Sequence, residues 1–486
     1  MSASTAQISD ESTLTAQSPV TSHDSGPELS AIARPPQVLN NRGPLWVTDA
    51  VCSIVEGKTP LWWIIGISIS GTFAGIGGAC ILYMICTGVG VWGSNSPCFW
   101  AWDITNFIFW VSMAHAGSLI SALLFLTRQK WSISISRSAE AMTVFAIMCA
   151  GVYPAIHIGR VWFVWFLFPV PNNYGMWPNF SSPLLWDVFA VTSYLTVSSL
   201  FWFAGMIPDL AVLRDRATTK IRKFAYGIVS LGWLGSARQW RHFEMMYVLL
   251  AGITSVLVVT VTTIVSSDCA TSVVPGWHAT IFPFYFMVGA VYSGSAAVLT
   301  LLLPLRLAYP QLKDLITPSH LDKVCKLLLF MGSCVGYVYV FELFTAWYSG
   351  NPFERGTFWE RFTGGYSWYA ITCLSINLTI PQFFWFKKVR QCLPLVFVLA
   401  ILCNVGMWFE RFMIVTTSLI RDFLPSSWGN FHATIVDILT ATGTVGIFFT
   451  LFLLFIRFVP IVNMSELKAT LPGSQPSHNP TVGGGH

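Results

Sequence analysis

Residues 243–265 read FEMMYVLLAGITSVLVVTVTTIV, a stretch with one charge, Glu244, at its very start. As a helix rising 1.5 Å per residue it is about 34 Å long, enough to cross the roughly 30 Å hydrocarbon core of a bilayer. It is too long for a strand and shows no two-residue alternation, which speaks against a membrane β-barrel. Nine further apolar runs of comparable length flank it, giving ten in all: 61–86, 104–126, 138–159, 184–206, 243–265, 278–304, 324–348, 366–386, 392–416 and 432–458. Glu410, Arg411 and Asp437 interrupt the last two. The expected fold class is therefore an all-α integral membrane protein with ten transmembrane helices.

Composition agrees. Of 486 residues, 54% are hydrophobic and 10% charged, with a mean hydropathy of +0.61, whereas soluble domains carry roughly a quarter charged residues. So little charge cannot keep a surface wet, so most of that surface must face lipid, and nothing suggests a nucleic-acid partner. The 22 Trp and 37 Phe suit bilayer interfaces and helix contacts. Residues 1–44 are polar and rich in Ser, Thr and Pro, and 463–486 are polar and end in glycines; both read as disordered tails. No apolar core follows Met1 closely enough for a cleaved signal peptide.

Lys and Arg set the orientation. The links after the second, fourth, sixth and eighth runs hold seventeen of them, counting Lys326 at the start of the seventh run, and the intervening links hold four. Both termini are expected in the cytoplasm, with the link 160–183 on the outer side of the membrane. An internal repeat accompanies this order: Tyr194-Leu-Thr-Val-Ser-Ser-Leu-Phe-Trp-Phe203 matches Asn377-Leu-Thr-Ile-Pro-Gln-Phe-Phe-Trp-Phe386, and Gly117-Ser118 with Arg128 echoes Gly294-Ser295 with Arg306. An offset of four helices preserves orientation, so the expectation is two parallel-repeated four-helix bundles, 104–265 and 278–416. The first helix with its flanks (45–103) and the tenth (432–458) stand outside them.

Charges inside a bilayer cost a few kcal/mol each and are functional candidates by default. Here they are His115, Glu140, His157, Asp187, Glu342, Glu410, Arg411 and Asp437. His157 lies about 27 Å along a helix from the inner start of the third run, and Asp187 lies a few residues into the fourth from the same side. The two share a depth near the outer surface, below a link that is aromatic and nearly uncharged, with Arg160 at its start. A neutral imidazole and a carboxylate at one depth can take two protons, as oxidation of a hydroquinone requires. The alternative is a His–Asp pair, with Arg160, that merely ties two helices together. Extending the repeat puts Glu342 at the place of His157 and Ala370 at that of Asp187, so no second quinol site is expected. Glu342, Glu410 and Asp437, with His115 and Glu140, are instead candidates for a proton path, against the reading that Glu410 and Arg411 only join helices. His115 has no second histidine at its depth and the eleven cysteines include no C-x-x-C pair, so no haem, iron–sulfur cluster or metal is expected on this chain.

Several runs carry a family resemblance: Phe109-Trp-Val-Ser-Met-Ala-His115-Ala-Gly-Ser-Leu-Ile-Ser121, Arg137-Ser-Ala-Glu140, Cys149-Ala-Gly-Val-Tyr-Pro-Ala-Ile-His157-Ile-Gly-Arg160, Trp177-Pro-Asn-Phe-Ser-Ser-Pro-Leu-Leu-Trp-Asp187, Pro208-Asp-Leu-Ala-Val-Leu-Arg-Asp-Arg216, Glu342-Leu-Phe-Thr-Ala-Trp-Tyr-Ser-Gly-Asn351 and Gly406-Met-Trp-Phe-Glu410-Arg411. The chain resembles the NrfD (polysulfide-reductase-like) membrane subunits, and among them the ActC-type quinol-oxidising subunits of alternative complex III. The resemblance implies a menaquinol or ubiquinol site at His157 and Asp187, and Arg160 is counted with them as a quinol-site candidate. It also implies electron transfer to a periplasmic iron–sulfur or molybdopterin-like subunit, with multihaem cytochromes c and a paralogous NrfD-type membrane subunit as further partners. The competing readings are an anchor for another oxidoreductase such as polysulfide reductase, a secondary transporter built on duplicated bundles, and a passive scaffold.

Overall fold

The computed structural model describes residues 36–471 except 172–174, 178 and 422. Its longer helices are α1 (Pro44–Glu56), α2 (Leu61–Thr87), α3 (Trp102–Leu126), α4 (Lys130–His157), α5 (Pro183–Arg216), α6 (Lys220–Val229), α7 (Ala237–Ala270), α8 (Phe282–Ala308), α9 (Pro318–Tyr348), α10 (Pro352–Thr363), α11 (Ser367–Phe383), α12 (Leu393–Leu419), α13 (Ile435–Phe458) and α14 (Met464–Thr470). There is no strand among the described residues. The protein is an all-helical integral membrane protein. Nine described helices, α2–α5, α7–α9, α12 and α13, are long and apolar enough to cross a membrane. The expected eighth run, 366–386, holds the shorter α11, whose 17 residues make about 25 Å.

Successive long helices alternate in direction, so the links fall on two faces. One face carries the basic links after α3, α5, α8 and α11; the far face carries the others. α3 and α8 form the centre, packed on each other and with most of their residues buried. Around them α3 packs on α4 and α12, α5 on α7, α8 on α7, α9 and α12, and α11 on α12, while α2 and α13 pair at the edge. Without a hydrophobic drive between helices in lipid, such crossings depend on small residues that let backbones approach. A Cβ on Gly294 would lie 2.3 Å from Ala116 Cβ, and one on Gly77 would lie 2.4 Å from Gly443 Cα. These glycines mark the α8–α3 and α2–α13 contacts.

The basic face is closed by short helices. α1 buries Val47, Val51, Cys52 and Val55, and Arg457 of α13 donates to Ile54 O (3.1 Å) and Gly57 O (2.7 Å) at its end. The expected C-terminal tail from Asn463 needs correction: 463–471 are ordered, with α14 packed on α1, α4 and α5. Asn463 caps α14, and its first amides are held by Asp209 of α5, from Met464 N at 3.1 Å and Ser465 N at 3.2 Å. The remainder of both expected tails lies outside the described residues.

Candidate functional site

At the far face the first turn of α3 carries Asp103, which is buried and accepts from Ala101 N at 3.2 Å. Its other carboxylate oxygen binds Nδ1 of His157, the last residue of α4. The hydrogen-bond partner of His157 is therefore Asp103; the alternative in which His157 and Asp187 tie two helices together is not what the structure has. The chain turns at once after His157 through Gly159 at φ +80°, where a Cβ would also press on Val89 at 2.9 Å. Arg160, which is exposed, and the helical turn Val161–Leu167 follow that turn. The imidazole is about a quarter exposed against 3% for the Asp103 carboxylate, so the ring is the accessible member. Nδ1–H donating to a carboxylate directs Nε2 away from it, and in a neutral ring that nitrogen is an acceptor.

Asp187, in the second turn of α5, faces Asp268 in the last turn of α7, within hydrogen-bonding reach. Oδ1 of each is buried without a donor among the described residues. Two carboxyl groups bond each other directly only when one carries a proton. The far face thus holds a His–Asp pair and an Asp–Asp pair at the ends of four adjacent helices. Trp162, Phe166, Phe168, Trp177 and Phe180 of the covering link are exposed aromatics; the rest of that link includes undescribed residues. Asp437 is elsewhere employed: it forms a capping box with Thr434 and accepts from Gly93 N at 2.9 Å, anchoring the link 88–101.

A second cluster lies deeper, among α8, α9, α11 and α12. Glu410 is fully buried and Arg411 nearly so; Arg411 Nη1 is 3.2 Å from Glu410 Oε1 and its guanidinium lies 4.5 Å from the Phe286 ring centroid. The other Glu410 oxygen accepts from Tyr339 OH and from Asn377 Nδ2 at 3.4 Å. Between this cluster and the far face stands Glu342, buried, lining a cavity of about 270 Å³ with His278, Ser349, Asn351 and Glu354. Glu342 and Tyr339 also share a smaller void with Arg361, which is held by Thr417 (3.3 Å) and Ser418 (2.7 Å). Glu342, Glu410 and Arg411 are therefore brought together, and Asp437 is not among them.

The first-bundle candidates face the other way. His115 Nδ1 binds Val111 O, and its ring stacks on Tyr194, centroids 4.9 Å apart; Tyr194 OH donates to Ser118 at 2.9 Å. Glu140 accepts from Tyr247 OH at 3.4 Å. Tyr247 lines a basic-face vestibule of about 440 Å³ with Arg128, Lys130, Ser132 and Glu466, where α3 makes a single π turn, Leu119–Leu123. Such turns mark functional sites more often than chance would. Glu466 was not singled out in the sequence, because only its seat in α14 buries it. Burial pushes its carboxyl up to about 7, with Asp209 adding and Arg137, Asn463 and Tyr247 opposing. The folded state then binds this proton more tightly than the unfolded chain. The stability this proton gives to the docking of α14 is fully present below about pH 4.5 and is lost as pH rises through about 7. A spin label on Ala469→Cys should become more mobile between pH 5 and 8, and Glu466→Gln should hold it immobile at both; equal mobility in the parent would contradict this.

Nine described membrane-length helices, a far-face carboxylate–imidazole pair and a buried carboxylate cluster define a polytopic membrane protein. The family model "Polysulphide reductase, NrfD" matches residues 90–421, and the chain belongs to that family. It is a membrane subunit of the kind that serves quinone-linked oxidoreductases, whose members typically partner iron–sulfur or molybdopterin subunits. No curated protein matches the chain.

Proposed function

We propose that this chain oxidises a quinol at its far face, as the membrane subunit of an alternative-complex-III-type quinol:acceptor oxidoreductase. The observation that carries this reading is the Asp103–His157 bond: it holds the imidazole through Nδ1 and leaves the partly exposed ring with Nε2 directed away from the carboxylate. A quinol gives up two protons and two electrons. In this reading His157 takes one proton and the Asp187–Asp268 pair takes the second. The electrons leave to an iron–sulfur subunit docked over the aromatic link, with multihaem cytochromes c beyond it and a paralogous membrane subunit alongside. The charge asymmetry of the links supports a periplasmic far face, cytoplasmic termini and an inner-membrane location. Glu342, between the far-face cavity and Glu410, supports a proton path in the second bundle.

One experiment tests both parts in the assembled, reconstituted complex. His157→Ala should lower quinol-dependent acceptor reduction by about 100-fold or more, with subunit composition unchanged; a scaffold or transporter would keep full activity. Glu342→Gln should lower the proton-to-electron ratio, and an unchanged ratio removes Glu342 from any path. Within the same family the second reading is an anchor for another quinone-linked enzyme such as a polysulfide reductase, favoured by the name of the matching model. The identity of co-purifying subunits separates the two.

A further inference from the structure

Two turns below Asp103, a groove of about 300 Å³ opens between α3, α8, α12 and α13. Its lining is almost wholly apolar, with Trp110, Met113, Ala297, Trp408 and Phe448 among the walls. Val405, Val445 and Phe449, at its rim, are exposed on the lipid-facing surface. The groove therefore opens sideways into the hydrocarbon region rather than to water. The two indole N–H groups are turned out of it: Trp110 Nε1 donates to Thr444 Oγ1 at 3.1 Å, and Trp408 Nε1 donates to Asn106 Oδ1 at 2.9 Å. The indoles turn ring surface toward the groove, and the two polar side chains in its lining, Asn404 and Thr300, are bonded to each other at 3.4 Å, so the walls suit a hydrocarbon chain better than a charged headgroup.

Both of those bonds lead to the far-face pair. Thr444 Oγ1 is also bonded to Tyr153 OH at 2.9 Å, and Tyr153 is four residues, one turn, before His157 on α4. Asn106 is three residues after Asp103 on α3. Residues seven apart on a helix share a face, so Trp110 stands below Asp103 on one side of α3, about 10 Å deeper at 1.5 Å per residue. The walls of the groove and the pair above are thus joined through two short hydrogen-bonded ties.

We propose that this groove holds the isoprenoid tail of the quinol whose ring is oxidised at Asp103–His157. This rests on the quinol reading above and adds the route by which the substrate enters: sideways from the bilayer between α12 and α13, tail against Trp110 and Trp408, ring rising to the far face. A tail held there fixes the ring's depth, so that the hydroxyl meets His157 without a polar clamp of its own.

The test uses the intact complex and two readouts. First, KM is measured for a tail-bearing quinol and for a ring analogue lacking the tail. Val405→Trp and Val445→Trp, which fill the rim from opposite helices at lipid-facing positions, should each raise the ratio of the two KM values about tenfold. Second, a quinol carrying a diazirine on its tail should label peptides of α12 and α13, and excess tailed quinol, but not excess phospholipid, should suppress that labelling. An unchanged KM ratio, or labelling confined to other helices, overturns the proposal, as does labelling that phospholipid suppresses equally, which marks a lipid acyl-chain site. If the wild-type complex oxidises no quinol at all, the functional reading fails by itself, and the competition pattern still decides whether the groove selects a quinol tail.

Discussion

Asp103→Asn is expected to lower kcat for quinol oxidation by about 10²- to 10³-fold, the range in which a positioned general base contributes, with KM for quinol changed no more than about twofold. The carboxylate accepts from His157 Nδ1 and so holds the ring in the tautomer whose Nε2 is free to take a proton. In the proposed reaction it would also stabilise the imidazolium formed when the proton moves. A carboxamide has nearly the same shape. If its NH₂ turns toward Nδ1 the ring flips tautomer and Nε2 becomes a donor, useless as a base; if its oxygen does, the tautomer survives but the negative charge is lost. Both outcomes strike the step in which the proton moves, not the binding of the ring, and that is why kcat and KM part company. Asp103→Glu should recover part of the rate. The check is steady-state kinetics of the assembled complex across pH, with the solvent isotope effect. A kcat within threefold of wild type, at any pH, would leave Asp103 as no more than the N-terminal anchor of α3.

Much of this architecture is legible in the sequence because the bilayer is a severe filter: every span must be long and apolar, and every charge within one is conspicuous. That is how His157, Glu342 and Glu410 could be picked out. The same filter explains what was missed. Asp103 precedes the second apolar run by one residue, and Asp268 follows the fifth by three, so neither counted as a charge in the membrane, although each is the partner of a candidate that did. Pairing across helices is not written in spacing either: His157 and Asp103 are 54 positions apart, and Asp187 offered the same chemistry at the same depth. Tyr339 and Asn377 are uncharged and escaped notice, yet they complete the Glu410 cluster. The repeat nevertheless pointed near them. Tyr194 and Asn377 occupy matching positions, and each sends a polar group into the buried interior, to Ser118 in one case and to Tyr339 in the other. α14 was lost for a different reason. It is a seven-residue helix with too few apolar positions for a pattern, and its order comes from Asp209, α1 and α4, contacts that exist only after folding.

The largest effect on stability is expected at Glu410. Glu410→Met should destabilise the protein by about 3–5 kcal/mol, the cost of leaving one member of a buried ion pair uncompensated. Arg411 would then keep only the ring faces of Phe286 and Tyr285, and it could not retreat, since its guanidinium fills the space beside Gly289, where a Cβ would come within 2.7 Å of Nη2. Arg411→Met should cost less. The carboxylate it leaves behind still accepts from Tyr339 and Asn377, and a glutamate can take up a proton where a guanidinium cannot lose one. The double variant Glu410→Met with Arg411→Met should recover most of the loss, because apolar replacements remove both desolvation penalties together. Tyr339 and Asn377 would remain bonded to each other at 2.9 Å, so the double change leaves them a partner. The order Glu410→Met, then Arg411→Met, then the double variant, from least to most stable, is measurable as denaturation in mixed micelles. If the double variant is no more stable than Glu410→Met alone, the pair is not what makes the single change costly. The carboxyl itself would then be what that site requires, and its place beside Glu342 would be the better account of why a membrane interior keeps it.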